Sequence, residues 1–300
     1  NLLRAVGNSV TPLAFLGGAA LLNIFLDLLF VLTFHMGVKG AAWATVLSQY
    51  LSGIGIMGYT LLLCPQLRIQ KKHMVWNRNI FHEITGLSSL TCVQQSIMNL
   101  GILMVQGLVN SFGAGIMAAF AAAVKIDSFA YMPVQDFGNA FSTFVAQNYG
   151  AGKVERIRKG IRSAAVSVFF FCMVISAAVW LFARPLMRIF IPASETGIIE
   201  AGVHYLRIEG ACYIGIGLLF LLYGFYRAVR KPGMSVVLTV ISLGTRVALA
   251  YMLSSVPWLG VTGIWVSVPI GWALADITGI GWYIYRYRGG NFDDRPPLAP

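Results

Sequence analysis

The chain has 300 residues, of which 57% are apolar and only 11% are charged, and its mean hydropathy is +0.73. Soluble domains carry roughly 25% charged residues, so this composition excludes a soluble globular protein and indicates one that is integral to a membrane. A formal charge of +11 would suit a nucleic-acid partner if it formed one patch. The positive residues are instead spread over several connectors, which argues against nucleic acid.

Eight apolar runs along the chain are long enough for a helix to cross about 30 Å of hydrocarbon. They predict spans at 13–34, 40–63, 84–110, 116–147, 163–183, 205–226, 234–253 and 263–285. The fourth run is too long for one straight span and contains Pro133, so we predict a kinked helix that faces protein or water. The sequence therefore predicts an all-α membrane protein.

The Lys and Arg residues fall mainly in alternate connectors. Sixteen of the 22 lie in one set of connectors and in the C-terminal tail, whereas the other set holds only Lys39, Arg184 and Arg188. Because positive residues collect on the cytoplasmic side, the first set is predicted to be cytoplasmic. We therefore expect a multi-pass protein of the cell inner (plasma) membrane with a cytoplasmic C-terminus.

An internal repeat appears when the sequence is shifted by 223 positions. "LLRAV" (2–6) then falls on "FYRAV" (225–229), and "MGVKG" (36–40) falls on "LGVTG" (259–263). The first two spans thus repeat the last two, and spans three to eight make a complete six-helix half. We expect about 140 further residues with four helices before Asn1, giving twelve helices in two parallel halves, a layout typical of transporters with the substrate near the midplane.

This repeat divides the chain into four parts. They are the last two helices of a first lobe (1–66), a cytoplasmic linker between the lobes (67–83), a complete six-helix second lobe (84–288) and a cytoplasmic tail (289–300).

Three long strings carry a resemblance to a known family. They are "LLRAVGNSVTPLAFLGGAALLNIFLDLLFVLTFHMGVKGAAWATVLSQ", "GLVNSFGAGIMAAFAAAVKIDSFAYMPVQDFGNAFSTFVAQNYGAGKVERIRKG", and "HYLRIEG" followed by "GFYRAVRKPG". With the two-half layout, they resemble the multidrug and toxic compound extrusion family, in its DinF-like branch, over essentially the whole chain. The resemblance implies a twelve-helix, two-lobe exporter, of which eight helices are present here. It also implies that Na⁺ or H⁺ entry drives export of amphipathic or cationic compounds, with no other cofactor, and we expect a monomer.

Asp27 interrupts an otherwise apolar span, and an ionisable group at such depth is by default a functional candidate. Asn23 lies four residues earlier on the same helix face, and Thr45 lies on the next, antiparallel span at a similar depth of about 8–10 Å. We therefore predict that the three side chains meet. Their oxygen atoms suit Na⁺ or a carboxyl group that exchanges a proton. The alternative is that they only join neighbouring helices by hydrogen bonds.

The family resemblance gives these residues a more specific role. It implies a cation site built from Asn23, Asp27, Thr45 and an Asp on the first helix of the first lobe, which precedes this chain. At the repeat offset the corresponding second-lobe residues are Arg246, Ala250 and Val268. Gln94 and Gln95 also stand where some family members carry a Glu. We therefore predict no cation site in the second lobe.

Two further sets of residues are assigned from the spans. Asp127 and Arg246 fall at similar depth and are predicted to form a structural ion pair. Asp136, which follows Pro133, could attract a cationic compound or serve as a hinge in the helix. The residues predicted to line the substrate path are Gln94, Gln95, Asn99, Met132, Gln135 and Asp136.

The sequence contains no motif of an ATPase, a metalloprotease or a serine hydrolase, so we predict no enzyme activity. Two alternatives to a multidrug exporter stay open at this point. One is a flippase of lipid-linked saccharides from the same superfamily, which should have a strongly basic cleft. The other is a membrane receptor or scaffold without transport, which would require neither the repeat nor a buried carboxylate.

Overall fold

The protein is described by a computed structural model that covers residues 2–64 and 76–287. The secondary structure of these residues is helical and contains no β-strand. Among the described residues, seven helices are long and apolar enough to cross a membrane, and a bent pair of helices makes an eighth candidate span. The predicted all-α membrane fold is therefore confirmed.

The described part of the chain contains ten α-helices, with a π-helical turn (Leu29–Thr33) directly after the second. They are α1 (Leu2–Ala5), α2 (Val10–Leu28), α3 (Gly37–Leu63), α4 (Arg78–Asn110), α5 (Ala114–Gly150), α6 (Val154–Phe190), α7 (Thr196–Gly210), α8 (Tyr213–Ala228), α9 (Pro232–Ser254) and α10 (Val261–Tyr287).

The chain forms two compact units, and the first comprises Asn1–Arg78. Within it α2 and α3 pack as an antiparallel pair through small residues of α3. A Cβ atom on Gly40 would lie 3.0 Å from the Cβ of Phe30, and one on Gly55 would lie 2.7 Å from the Phe15 ring. The Ser52 hydroxyl also donates a 3.0 Å hydrogen bond to the carbonyl of Phe15. These contacts fix the register of the two helices along most of their length.

The second unit comprises Asn79–Pro300, and its buried core lies mainly among α5, α6, α7 and α8. Helices α5 and α8 approach closely at two glycines, because a Cβ on Gly224 would lie 2.5 Å from the carbonyl oxygen of Gly138. Helices α9 and α10 are equally close, since a Cβ on Gly271 would lie 2.4 Å from the carbonyl oxygen of Ser242. Small residues at helix contacts are typical of membrane bundles, where close packing supplies much of the attraction.

One predicted span is wrong. The sixth run, 205–226, is not one helix, because α7 and α8 meet at an angle of 52° between Gly210 and Tyr213. Helix α4 begins at Arg78, within the predicted linker 67–83, and residues 65–75 lie outside the described part of the chain, so the bounds of the linker stay a prediction. Helix α5 contains Pro133 and continues as one helix to Gly150.

Candidate functional site

Asn23 and Thr45 meet between α2 and α3, as predicted from their similar depth. The side-chain nitrogen of Asn23 donates to the Thr45 hydroxyl oxygen at 3.4 Å. Thr45 in turn donates its own proton to the carbonyl of Ala41 at 3.0 Å. One lone pair of the Thr45 hydroxyl accepts from Asn23, so its second lone pair and the amide oxygen of Asn23 stay available to a cation.

Asp27 lies one helical turn beyond Asn23 on the same face of α2. Its side chain is half-buried, and its Oδ1 atom is fully covered yet has no hydrogen-bond donor within residues 2–64 and 76–287. No hydrogen bond among the described residues joins Asp27 to Asn23 or Thr45, so two of the three predicted side chains are in contact and Asp27 lies one helical turn from Asn23. A buried carboxylate oxygen without a donor is costly unless a cation or a proton occupies it.

The π-helical turn Leu29–Thr33 begins two residues after Asp27. A π-helical turn is rare and is found most often at functional sites, because it changes the direction of side chains within a continuous helix. It is followed by His35 with a φ of 52° and Gly37 with a φ of 54°, which turn the chain into α3. Asp27 therefore lies where the regular α-helix ends.

The second unit contains a separate buried polar cluster, formed by Asp127, Tyr205, Glu209 and Tyr213. The hydroxyl of Tyr213 on α8 donates a short hydrogen bond to Oδ1 of Asp127 on α5. Glu209 and Tyr205, both on α7, lie in the same cluster and interact electrostatically with Asp127. All four side chains are at most 4% exposed.

The cluster lies at the break between α7 and α8. Tyr205, Glu209 and Tyr213 are spaced by four residues, so they share one side of the bent segment. At the break, backbone N–H and C=O groups at the end of α7 lose their helical hydrogen-bond partners. Some of them form turn hydrogen bonds instead, such as the 2.9 Å bond from the Cys212 amide to the Glu209 carbonyl. Broken helices that carry polar groups within the membrane are typical of transporter binding sites.

Aromatic rings line one side of this cluster. The ring of Tyr205 stands edge-on to Trp265, with centroids 4.9 Å apart, and to Phe120, with centroids 5.6 Å apart. Phe120 and Trp265 are themselves stacked at 5.5 Å. These contacts hold the Tyr205 hydroxyl in one orientation toward the carboxyl groups.

The direct ion pair predicted between Asp127 and Arg246 is not formed. Within the described residues the ion pairs shorter than 4.0 Å join Lys159 to Glu155 and Arg184 to Glu200. The Tyr213 hydroxyl donates to the Asp127 carboxylate instead, and the buried Nε of Arg246 has no acceptor among the described residues. Arg246 still interacts electrostatically with both Asp127 and Glu209 across a longer distance.

Sequence reasoning missed Tyr205, Glu209 and Tyr213. The available signal was an acidic residue inside an apolar run with aromatic hydroxyls four residues on either side, which is the same kind of pattern that marked Asp27. Glu209 belongs to the string "HYLRIEG", which carries part of the family resemblance. Its Oε1 atom is buried and has no donor among the described residues, as is the case for Oδ1 of Asp27.

The residues predicted to line the substrate path divide into two environments. On α4, Gln94 is buried, whereas Gln95 and Asn99 are exposed. On α5, Met132 and Asp136 are exposed and share one face, one turn apart, while Gln135 is half-buried. Their contact with a substrate stays a prediction.

The described residues hold no group of three His, Cys, Asp or Glu side chains arranged for a metal ion. The oxygen set of Asn23, Asp27 and Thr45 is of another kind, since two of its members are neutral. A single carboxylate with amide and hydroxyl oxygens suits a monovalent, hard cation better than a transition metal.

A family model described as MatE matches residues 91–252. The chain belongs to the MatE family. This match confirms the resemblance to the multidrug and toxic compound extrusion family.

Similar proteins extend this finding over nearly the whole chain. A probable multidrug resistance protein of Bacillus subtilis, YpnP, is 30% identical over 288 residues, which cover 94% of this chain and 62% of the relative. The DNA damage-inducible protein F of Escherichia coli is 24% identical over 300 residues, covering 97% of this chain and 62% of the relative. The chain therefore spans less than two thirds of the length of these relatives.

A solved transporter of the MOP superfamily from Pyrococcus furiosus has the same fold. Its TM-score is 0.89 at 23% identity, and the match covers 96% of this chain and 64% of that chain. MatE proteins are multi-pass membrane proteins, and the apolar helices of this chain agree with that class.

Proposed function

We propose that the intact protein is a secondary active multidrug exporter that couples entry of Na⁺ or H⁺ to extrusion of amphipathic, often cationic compounds. The observation that carries this proposal is the donor-free carboxylate oxygen of Asp27 beside the hydrogen-bonded pair of Asn23 and Thr45. Membership of the MatE family and the similarity to multidrug resistance proteins support the same function.

The coupling step follows from electrostatics. Asp27 is the acidic residue of an apolar span, and a cation or proton that binds there neutralises its charge within the membrane. The oxygens of Asn23 and Thr45 replace part of the hydration shell of a bound Na⁺. Binding and release on opposite sides of the membrane then bias the two lobes between their inward-open and outward-open states.

The substrate class is inferred from the exposed stripe of α5. Met132 is 53% exposed and offers a flexible apolar surface, and the neighbouring carboxylate of Asp136 supplies one negative charge. This combination suits amphipathic cations. A flippase of lipid-linked, anionic saccharides would require a basic surface at this place, so it is the less favoured alternative.

A second location for proton coupling is the polar cluster of Asp127, Tyr205, Glu209 and Tyr213. Asp127 and Glu209 are two buried carboxyl groups of one cluster, and acidic side chains within the membrane are typical of the proton relays of transporters. This location departs from the sequence-based expectation that the second lobe has no ion site. Glu209→Gln distinguishes the two locations, because it leaves the Asp27 site intact.

The protein is further proposed to act as a monomer in the plasma membrane with its C-terminus in the cytoplasm. The distribution of basic residues between connectors supports this orientation. Small molecules and the surrounding lipid are then its partners.

The experiment is a counterflow assay with the intact protein reconstituted in liposomes. We expect exchange of a fluorescent cation such as ethidium, and its accumulation when a Na⁺ or proton gradient is imposed. Movement of a lipid-linked saccharide without movement of ethidium would favour the flippase. Movement of neither compound in protein shown to be folded would favour a receptor or scaffold.

A further inference from the structure

Helix α6 is much longer than a membrane span requires. Its 37 residues extend for about 55 Å, compared with about 30 Å of hydrocarbon. The first turns therefore lie at the level of the lipid headgroups. Five exposed basic residues lie at this end, namely Lys153, Arg156, Arg158, Lys159 and Arg162. The acid among them is Glu155, which is paired with Lys159 at 2.9 Å.

An apolar groove of about 310 Å³ runs between α5 and α6 deeper in the membrane, and we call it the α5–α6 groove. The residues that line it are Pro133, Val134, Phe137, Ser167, Val168 and Phe171. Phe137 is 40% exposed and Phe171 is 38% exposed, so the groove opens to the outside of the second unit. Apart from the Ser167 hydroxyl, its side chains offer only carbon atoms to a ligand.

The groove and the basic end of α6 are aligned. Ser167 follows Arg156 by eleven residues, which is about three helical turns, so both lie on the same face of α6. The axial separation is about 16 Å, close to half of the hydrocarbon thickness. The exposed Ser163 lies on the same face between them, whereas Gly160 packs against the ring of Phe144 on α5. A molecule bound to Arg156 by its phosphate can therefore reach the groove with an acyl chain.

The groove does not coincide with the face assigned to the substrate. Met132 directly precedes Pro133 along α5, and Asp136 directly precedes Phe137. Pro133 and Phe137 both line the groove. One position corresponds to about 100° around a helix. The α5–α6 groove thus opens on a different side of α5, toward the apolar and exposed face of α6 that carries Phe170 and Val174.

From this alignment we propose that the second lobe binds an anionic glycerophospholipid, with its phosphate at Arg156 and one acyl chain in the α5–α6 groove. Both parts of the molecule are needed. A zwitterionic lipid has the same chains but less attraction to the basic end of α6, and a free phosphate has no chain to fill the groove. This inference goes beyond the proposed transport function and does not depend on it.

The test is native mass spectrometry of the intact protein, released from detergent after addition of phosphatidylglycerol, phosphatidylcholine or glycerol phosphate. We expect the wild-type protein to retain phosphatidylglycerol at least about three-fold more than phosphatidylcholine, and to retain no glycerol phosphate. Arg156→Gln should abolish the preference for phosphatidylglycerol. Ser167→Phe, which fills the groove, should lower retention of both lipids.

The matched control is Arg188→Gln, because Arg188 is an exposed basic residue at the opposite end of the same helix. It should retain lipid as the wild-type protein does. Circular dichroism of each variant establishes that its helices are intact. Equal retention of the two lipids by the wild type, unchanged retention by both Arg156→Gln and Ser167→Phe, or retention of glycerol phosphate alone would each overturn the proposal.

Discussion

The hydroxyl of Tyr213 donates a hydrogen bond to the carboxylate of Asp127, and this bond joins α8 to α5 at the break in the sixth span. Both side chains are only 3% exposed, so neither can exchange its partner for water. Loss of this donor should therefore lower the stability of the second unit.

Tyr213→Phe is expected to destabilise the protein by about 1–3 kcal/mol, because a buried acceptor loses its donor while the ring remains. Thermal unfolding in detergent measures the effect. Tyr251→Phe is the matched control, since Tyr251 is 47% exposed on α9 and should tolerate the change. Equal melting temperatures for Tyr213→Phe and the wild type would show that the bond contributes nothing.

Arg246→Ala should also lower stability, although Arg246 makes no direct ion pair with Asp127. Its positive charge acts on both Asp127 and Glu209, so its removal leaves two adjacent carboxyl groups without compensation. A loss on the order of 1–2 kcal/mol is expected, smaller than the roughly 3–5 kcal/mol for breaking a direct buried pair.

Adding Glu209→Gln should restore part of that loss, because one of the two uncompensated acids is then removed. Melting temperatures of the two single variants and the double variant form a cycle that isolates the coupling. Strictly additive effects would mean that Arg246 and Glu209 do not interact.

Gly224→Ala tests the close packing of α5 and α8. The added Cβ would lie 2.5 Å from the carbonyl oxygen of Gly138, so the helices must separate. We expect a loss of about 1–3 kcal/mol. In the control Gly244→Ala, a Cβ on α9 meets no atom within 4 Å, and the better helix propensity of Ala should leave stability unchanged or raise it. Similar melting temperatures for the two variants would contradict the packing described here.

Thr45→Val tests whether the Thr45 oxygen is a ligand of the coupling ion. The substitution keeps the shape of the side chain but removes the Thr45 oxygen from the proposed ligands Asn23, Asp27 and Thr45. If the Thr45 oxygen contributes about 0.5–1.5 kcal/mol to the free energy of ion binding, its loss should raise the ion concentration for half-maximal transport about two- to ten-fold. Thr60→Val is the control on the same helix, because the Thr60 hydroxyl only bonds the Ile56 carbonyl, at 2.7 Å. An unchanged ion dependence would remove Thr45 from the site.

The contact between Asn23 and Thr45 was predictable, because two polar residues at the same depth on neighbouring antiparallel helices have few other possible partners. The same reasoning was wrong for Asp127 and Arg246. Equal depth does not determine which way each residue faces around its helix, and Tyr213 contacts the carboxylate from α8. The bend between α7 and α8 was also missed, since apolar residues continue across it and hydropathy alone does not register a change of direction.

The most direct test of the central claim is accumulation of substrate by Asp27→Asn in liposomes with an imposed ion gradient. The variant keeps the size of the side chain but cannot carry a charge, and Glu200→Gln, at an exposed pair with Arg184, controls for loss of an acid. We predict that Asp27→Asn is folded and binds substrate but does not accumulate it against a gradient, whereas Glu200→Gln accumulates it normally. Accumulation by Asp27→Asn at the wild-type level would contradict the assignment of Asp27 as the coupling residue.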